Sequence, residues 1–125
     1  MRALLQRVTQ ASIHINHIET AHIQQGLCVF LGIHATDTPK KITWMCNKII
    51  QLRIFEDETK KMNKSVHDIN GAILIVPQFT LYANCQKGTR PAFTNSAPPH
   101  IAEPLFNNFI AHIKTQHPNI QTGTF

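Results

Sequence analysis

Leu27-Cys28-Val29-Phe30-Leu31-Gly32-Ile33, released by Gly26, contains no charged or strongly polar side chain. A strand sends successive side chains to opposite faces, so a run with no polar face must be covered on both sides and reads as a central buried strand. Upstream the pattern alternates: Leu5, Arg7 and Thr9 take one face of a first strand, and Leu4, Gln6 and Val8 the other. Residues 12–15 and 18–23 alternate around Asn16-His17, a plausible hairpin turn. Downstream, Thr38-Pro39 marks a helix start, with Thr38 as N-cap and Pro39 in the first helical position. Ile42, Met45, Cys46, Ile49, Ile50 and Leu52 then form one apolar stripe, with Trp44 off it and placed to cover an edge.

Further along, Arg53-Ile54-Phe55 reads as a short strand, residues 56–64 as a loop, and Asn70-Gly71 as a turn before a second buried strand at 72–76. Polar, Gly and Pro residues fill 84–99, and connections this long in a small domain commonly carry function. A second helix is expected to start between His100 and Glu103, which keeps Pro104 inside the first turn. Its apolar side holds Ile101, Leu105, Phe106, Phe109, Ile110 and Ile113, and residues 120–125 look like the beginning of a last strand. Five or six strands with two helices predict an α+β domain whose sheet is mainly antiparallel and rolled toward a small β-barrel. Two helices cannot cover both faces of such a sheet, so a second copy is expected on the open face, as a homodimer.

The chain has 125 residues, enough for one domain. Its 42% hydrophobic and 15% charged residues exclude a disordered, self-repelling chain. No apolar run approaches the roughly 20 residues of a membrane span, and the opening Met1-Arg-Ala-Leu-Leu-Gln-Arg7 has no signal-peptide pattern. A cytoplasmic protein without membrane contact is expected, and three cysteines with no Cys-x-x-Cys pair fit a reducing compartment. Cys28 and Cys46 read as core and Cys85 as a loop residue. Twelve Lys and Arg against seven Asp and Glu leave a net charge of +5, with seven of the basic residues between Lys40 and Lys64. That surplus favours a polyanionic partner.

Eight histidines raise the question of metal binding, but they form no His-x-x-x-His pair and read as scattered over the surface; no metal and no cofactor are expected. The five glycines are isolated, which excludes a phosphate cradle, and no Gly-x-Ser-x-Gly elbow occurs. What remains is Val76-Pro77-Gln78-Phe79-Thr80-Leu81. On a continuing strand Gln78 and Thr80 would project together, a carboxamide beside a hydroxyl, suited to polarising a carbonyl. The plain alternative is a strand end interrupted by Pro77 at an edge.

Several blocks then fall in one order along the whole chain: residues 1–12, Gly26-Leu27 to Leu31-Gly32, Arg53-Ile-Phe-Glu-Asp57, Lys61-Met-Asn63, Gln78-Phe-Thr-Leu81, Lys87-Gly-Thr-Arg-Pro-Ala-Phe93 and Gln121-Thr-Gly123. Together they resemble the D-aminoacyl-tRNA deacylases. The resemblance implies a dimeric, metal-independent, cytosolic hydrolase that clears D-amino acids, and glycine, mischarged on tRNA. The family's Ser-Gln motif falls on Pro77-Gln78-Phe79-Thr80, with Pro77 where the family has Ser. A Pro-Gln opening is similar to that of a sister group with selectivity relaxed toward L-alanine. A second family motif, Asn-x-Gly-Pro-x-Thr, would follow Phe125; the resemblance implies that it enters the neighbouring subunit's pocket and excludes L-amino acids. Residues 1–125 are therefore expected to be a single domain short of that segment, slow on D-aminoacyl-tRNA and poorly selective against the L-isomer.

The expected scheme attacks the aminoacyl ester with water or the neighbouring ribose hydroxyl, while Gln78 and backbone N–H groups stabilise the oxyanion and Thr80 positions. Phe79 reads first as core and second as a platform for the terminal adenine. Arg7 resembles the family arginine that braces the cross-subunit loop, and Lys87 and Arg90 suit phosphates of the acceptor stem. Two rival readings are a catalytically impaired dimeric remnant and a non-catalytic tRNA-binding module.

Overall fold

The computed structural model describes residues 1–125. The apolar run becomes β4 (Gly26–Gly32) in a four-stranded sheet, between β1 (Arg2–Val8) and β7 (Ala72–Pro77), with β8 (Ile120–Thr122) beyond β7. β1 is antiparallel to β4, whereas β4–β7 and β7–β8 are parallel. Parallel neighbours need long crossovers. These are supplied by α1 (Lys40–Gln51) before β7 and α2 (Pro99–Gln116) before β8. Two antiparallel hairpins complete the chain, β2 (Ala11–Ile15) with β3 (Ile18–Ile23) and β5 (Phe55–Glu56) with β6 (Met62–Lys64). The α+β class and the two helices match expectation, and antiparallel pairings are in the majority. The barrel does not close, because β1 and β8 stand at opposite edges of the sheet and do not pair.

Alternation along the central strands separates two layers. Leu27, Val29 and Leu31 of β4 and Ile73 and Ile75 of β7 pack with Cys46 and Ile49 of α1 and with Phe109 and Ile113 of α2, all essentially sealed from solvent. Burying each such side chain stabilises by about 1.5–3 kcal/mol. On the other side, Ala72 and Leu74 meet Ala21 and Ile23 of β3. That hairpin leaves the β1–β4 part of this face open: Cys28 and Phe30 are half-buried, and Leu4, the register partner of Phe30, is 55% exposed.

Asn16 and His17 form the expected turn, with φ of 50° and 65°, the left-handed pair that a two-residue hairpin loop requires. Other expectations need correction. Thr38 does not cap α1; Pro39 flanks the helix and no side chain caps it. The oxygens that gather donors belong to buried Asp37, which takes the Met1 ammonium at 2.5 Å, Lys41 Nζ at 3.0 Å and the His34 N–H at 2.8 Å. α2 begins at Pro99, so Pro104 sits inside the helix. It removes one N–H from the ladder, opposite the carbonyl of exposed His100, where water can replace it. Residues 56–64 are not a plain loop, since β6 pairs with β5. One histidine leaves the surface: His117 is buried, with Nε2 2.7 Å from the Gly71 carbonyl.

Candidate functional site

β7 ends at Pro77, and Phe79–Tyr82 coil into a single 3-10 turn instead of continuing the strand. The Gln78 N–H still donates to the Leu31 carbonyl at 2.9 Å, so the turn starts from a fixed point on β4. It then lies close over Gly32. A Cβ there would stand 3.1 Å from the Gln78 carbonyl oxygen and 3.2 Å from both Leu81 Cβ and Tyr82 Cδ2, so any side chain would press on the turn. From β1, Arg2 Nη1 donates to the Leu81 carbonyl at 2.5 Å and its guanidinium lies 4.6 Å from the centre of the Tyr82 ring. His34 meets the same ring edge-on at 5.1 Å.

Gln78 and Thr80 do come together, through the turn and not through strand alternation: Gln78 Nε2 donates to Thr80 Oγ1. The turn also overturns the first reading of Phe79. It is 59% exposed, outside the core, and meets Phe93 edge-to-face at 5.3 Å. Pro77, Gln78 and Phe79 border a cavity of about 180 Å³ whose other walls include Leu31, Ile33, Ala102 and Phe125. Its remaining polar residues are Ser96 and Thr124, and no ionisable side chain lines it. Ser96, Phe93 and Phe125 were not legible as site residues. Ser96 reaches the cavity through tertiary pairing, as a bridge partner of His34 with Ala97 N–H donating to the Ile33 carbonyl at 2.9 Å. Its buried hydroxyl has no hydrogen-bond partner.

The long connection is pinned beside the site. Asn84 and Ala92 exchange backbone hydrogen bonds of 2.8 and 3.0 Å, closing a loop with Gly88 at φ 69°. Lys87 and Arg90 are exposed on that loop, between Asn84 and Ala92, and Phe93 directly follows Ala92. Arg7 is not brought to the cavity. It is paired with Leu27, four residues along β4 from the Leu31 that pairs with Pro77, a separation of about 13 Å. It also lies on the core-facing side of β1 with Leu5, at an exposed rim beside Phe55 and Glu56.

Two charged groups act on the turn, the Arg2 guanidinium on it and Asp37 near Tyr82. Burial pushes the Asp37 carboxyl up, but the Met1 ammonium, the His34 N–H and Lys41 outweigh that and hold it below its ordinary value. Burial, with the Asp37 charge beside it, raises the Tyr82 phenol. Cys46 is pushed up to about 12 by burial and stays a thiol. No group of three His, Cys, Asp or Glu side chains converges to hold a metal ion, and no helix is long and apolar enough to cross a membrane. What the site presents is a neutral cavity, a carboxamide tied to a hydroxyl at its rim, and an aromatic pair beside it. Such groups polarise a carbonyl and stack a base; they supply no side-chain general base.

Comparison with known proteins gives one consistent family. Residues 4–125 match the D-Tyr-tRNA(Tyr) deacylase family. The chain is 51% identical over 126 residues to a D-aminoacyl-tRNA deacylase of Petrotoga mobilis, covering 100% of this chain and 84% of that one. It is 43% identical over 125 residues to the D-aminoacyl-tRNA deacylase of Thermotoga petrophila, with the same coverage. Among solved structures, the c-Myc DNA Unwinding Element Binding Protein superposes with a TM-score of 0.95 at 40% identity, over 100% of this chain and 85% of that one. A probable eukaryotic D-amino acid tRNA deacylase shares the fold, with a TM-score of 0.84 at 16% identity over 98% and 87% of the two chains.

Proposed function

Since the chain belongs to the D-Tyr-tRNA(Tyr) deacylase family, we propose that it hydrolyses the ester linking a D-amino acid to the terminal ribose of tRNA, releasing the free amino acid and tRNA. The enzyme is a hydrolase of aminoacyl-tRNA esters, and glycine mischarged on tRNA is a second substrate. The observation that carries this reading is the end of β7 and the start of the 3-10 turn, where Gln78 borders the cavity with its amide held by Thr80.

In this scheme the ester carbonyl sits beside Gln78, and the developing oxyanion is met by the Gln78 amide and by backbone N–H groups of the turn. The neutral lining argues against a side-chain nucleophile activated by a neighbouring base, so water or the adjacent ribose hydroxyl attacks and Thr80 positions Gln78. Pro77 and Phe79 contact the aminoacyl-adenosine end, with Phe79 and Phe93 as an exposed aromatic shelf for the terminal adenine. Lys87 and Arg90 meet acceptor-stem phosphates without reading sequence. No metal or cofactor takes part, and the compartment is the cytoplasm.

The open β1–β4 face, with Leu4 exposed and Phe30 half-covered, supports a homodimer in which that face is shared. Arg7 projects from the other side of β1, with Leu5, so this shared face does not include it. Sedimentation at micromolar concentration is expected to show a dimer, and a 14.2 kDa species alone would remove that part.

The test of the chemistry is single-turnover deacylation of D-tyrosyl-tRNA by Gln78→Ala. Loss of one oxyanion donor is expected to slow it by about 10²- to 10³-fold, while Cys85→Ala leaves the rate unchanged. An unslowed Gln78→Ala enzyme removes Gln78 from the mechanism.

A further inference from the structure

An α-helix advances about 100° per residue, and buried Ile42, Cys46, Ile49 and Ile50 define the inward side of α1. Trp44 falls almost opposite the centre of that stripe, with Lys40, Asn47, Lys48 and Gln51 on the same outward side. It covers no edge: it is 61% exposed, and Lys48 Nζ stands 5.5 Å from its ring centroid. Trp44, Asn47, Lys48, Gln51, Leu52 and Arg53 line a groove of about 370 Å³. No Asp or Glu occurs from Thr38 to Phe55, a span that holds Lys40, Lys41, Lys48 and Arg53. Of these, Lys41 is paired with Asp37, whereas Lys40, Lys48 and Arg53 are in no ion pair.

A single exposed aromatic requires no explanation by itself. Here the indole is flanked by unpaired cations and two carboxamides, with no acid along that stretch to repel a polyanion. That combination offers a stacking face to an unpaired base and cations to the phosphates on either side of it. The groove lies on the helix-covered side of the sheet, opposite the β1–β4 face assigned above to a second copy, so it stays free in that dimer.

We propose that the outward face of α1 is an RNA-contact surface separate from the cavity, where an unpaired nucleotide of the substrate tRNA stacks on Trp44 while Lys48 and Arg53 hold its flanking phosphates. The choice of tRNA rests on the deacylase reading; the surface itself is read from α1.

Trp44 is the only tryptophan of the chain, so intrinsic fluorescence of the unmodified protein watches this surface directly. Titration with uncharged tRNA is expected to quench it, with an affinity that falls as salt rises. By a separation-based binding measurement, Trp44→Ala is expected to weaken tRNA binding about tenfold. Lys48→Ala and Arg53→Ala should each flatten the dependence of log affinity on log salt by about one. The KM for intact aminoacyl-tRNA rises in Trp44→Ala, while turnover of a short aminoacylated oligonucleotide that reaches only the cavity does not change. Fluorescence indifferent to saturating tRNA, or a Trp44→Ala protein with unaltered tRNA affinity, overturns the proposal, including the case in which only a protein partner perturbs Trp44. Absence of turnover by the unmodified enzyme on either substrate breaks the deacylase reading instead, and the binding titration still decides this one.

Discussion

Phe109 and Phe79 are the same residue with opposite fates. Phe109, in the middle of α2, is fully sealed between the helices and the sheet. Phe79, in the 3-10 turn, stands largely in solvent against Phe93. α2 is held by a repeated apolar side, so its stability is spread over many contacts. The turn is held by a few specific ones: a backbone bond to Leu31, the absence of a side chain at Gly32, and the Arg2 guanidinium on Leu81 and Tyr82. The first region stores stability and the second spends it to keep polar groups and an aromatic ring beside a cavity.

Truncating the buried ring tests that contrast most severely. Phe109→Ala is expected to destabilise the fold by about 3–5 kcal/mol through lost transfer energy and a residual cavity. The rate per folded molecule should be unchanged. Denaturant unfolding beside active-site titration measures both, and a stable Phe109→Ala protein would show that the core tolerates collapse at α2.

Next comes the buried carboxylate that anchors the chain before α1. Asp37→Ala strands the Met1 ammonium in a buried place, and removing one partner of a buried pair costs about 3–5 kcal/mol. The same carboxylate sets an acid limit. Its folded value is held below the ordinary 3.8, so the unfolded chain takes up the proton first as pH falls. The stability it supplies is therefore complete well above 3.8, and it is lost as pH drops below that value toward the depressed folded one. Thermal melts between pH 6 and pH 2 are expected to show this loss in the native chain and a shallower one in Asp37→Asn. Parallel profiles would mean that Asp37 is not the group responsible.

The smallest expected effect on stability belongs to Phe79→Ala, within about 0.5 kcal/mol, because an exposed ring loses little on truncation. Its effect should fall on KM for aminoacyl-tRNA. A large loss of stability in this variant would erase the distinction between the two phenylalanines.

The elements that repeat were legible in the residues. Period two in β1, the two-sided apolar run of β4 and the stripe of α1 each follow from a chain that must bury apolar side chains at a fixed angular step. The Asn16-His17 turn was also local, since two left-handed residues suffice to reverse a hairpin. Gln78, Thr80 and Pro77 were picked out as a group, although their geometry was drawn as a strand.

What the residues alone determined about this protein is its class, its two helices, its central strand and the short segment on which the chemistry is proposed to rest. These are properties of neighbours in the chain, fixed by periodicity and residue type. Tertiary structure decided that β7 stops at Pro77, that Phe79 turns outward against Phe93, and that Ser96 and Phe125 close around the cavity. It also decided that Asp37 replaces Thr38 as the anchor before α1 and that Arg7 lies at the far end of the sheet from Gln78. Each of these depends on contacts between residues distant in sequence: Gly32 leaving space for the 3-10 turn, Ile33 pairing with Ala97, and Met1 reaching Asp37. No local pattern encodes such contacts, because the free energy that selects them exists only once the layers have packed.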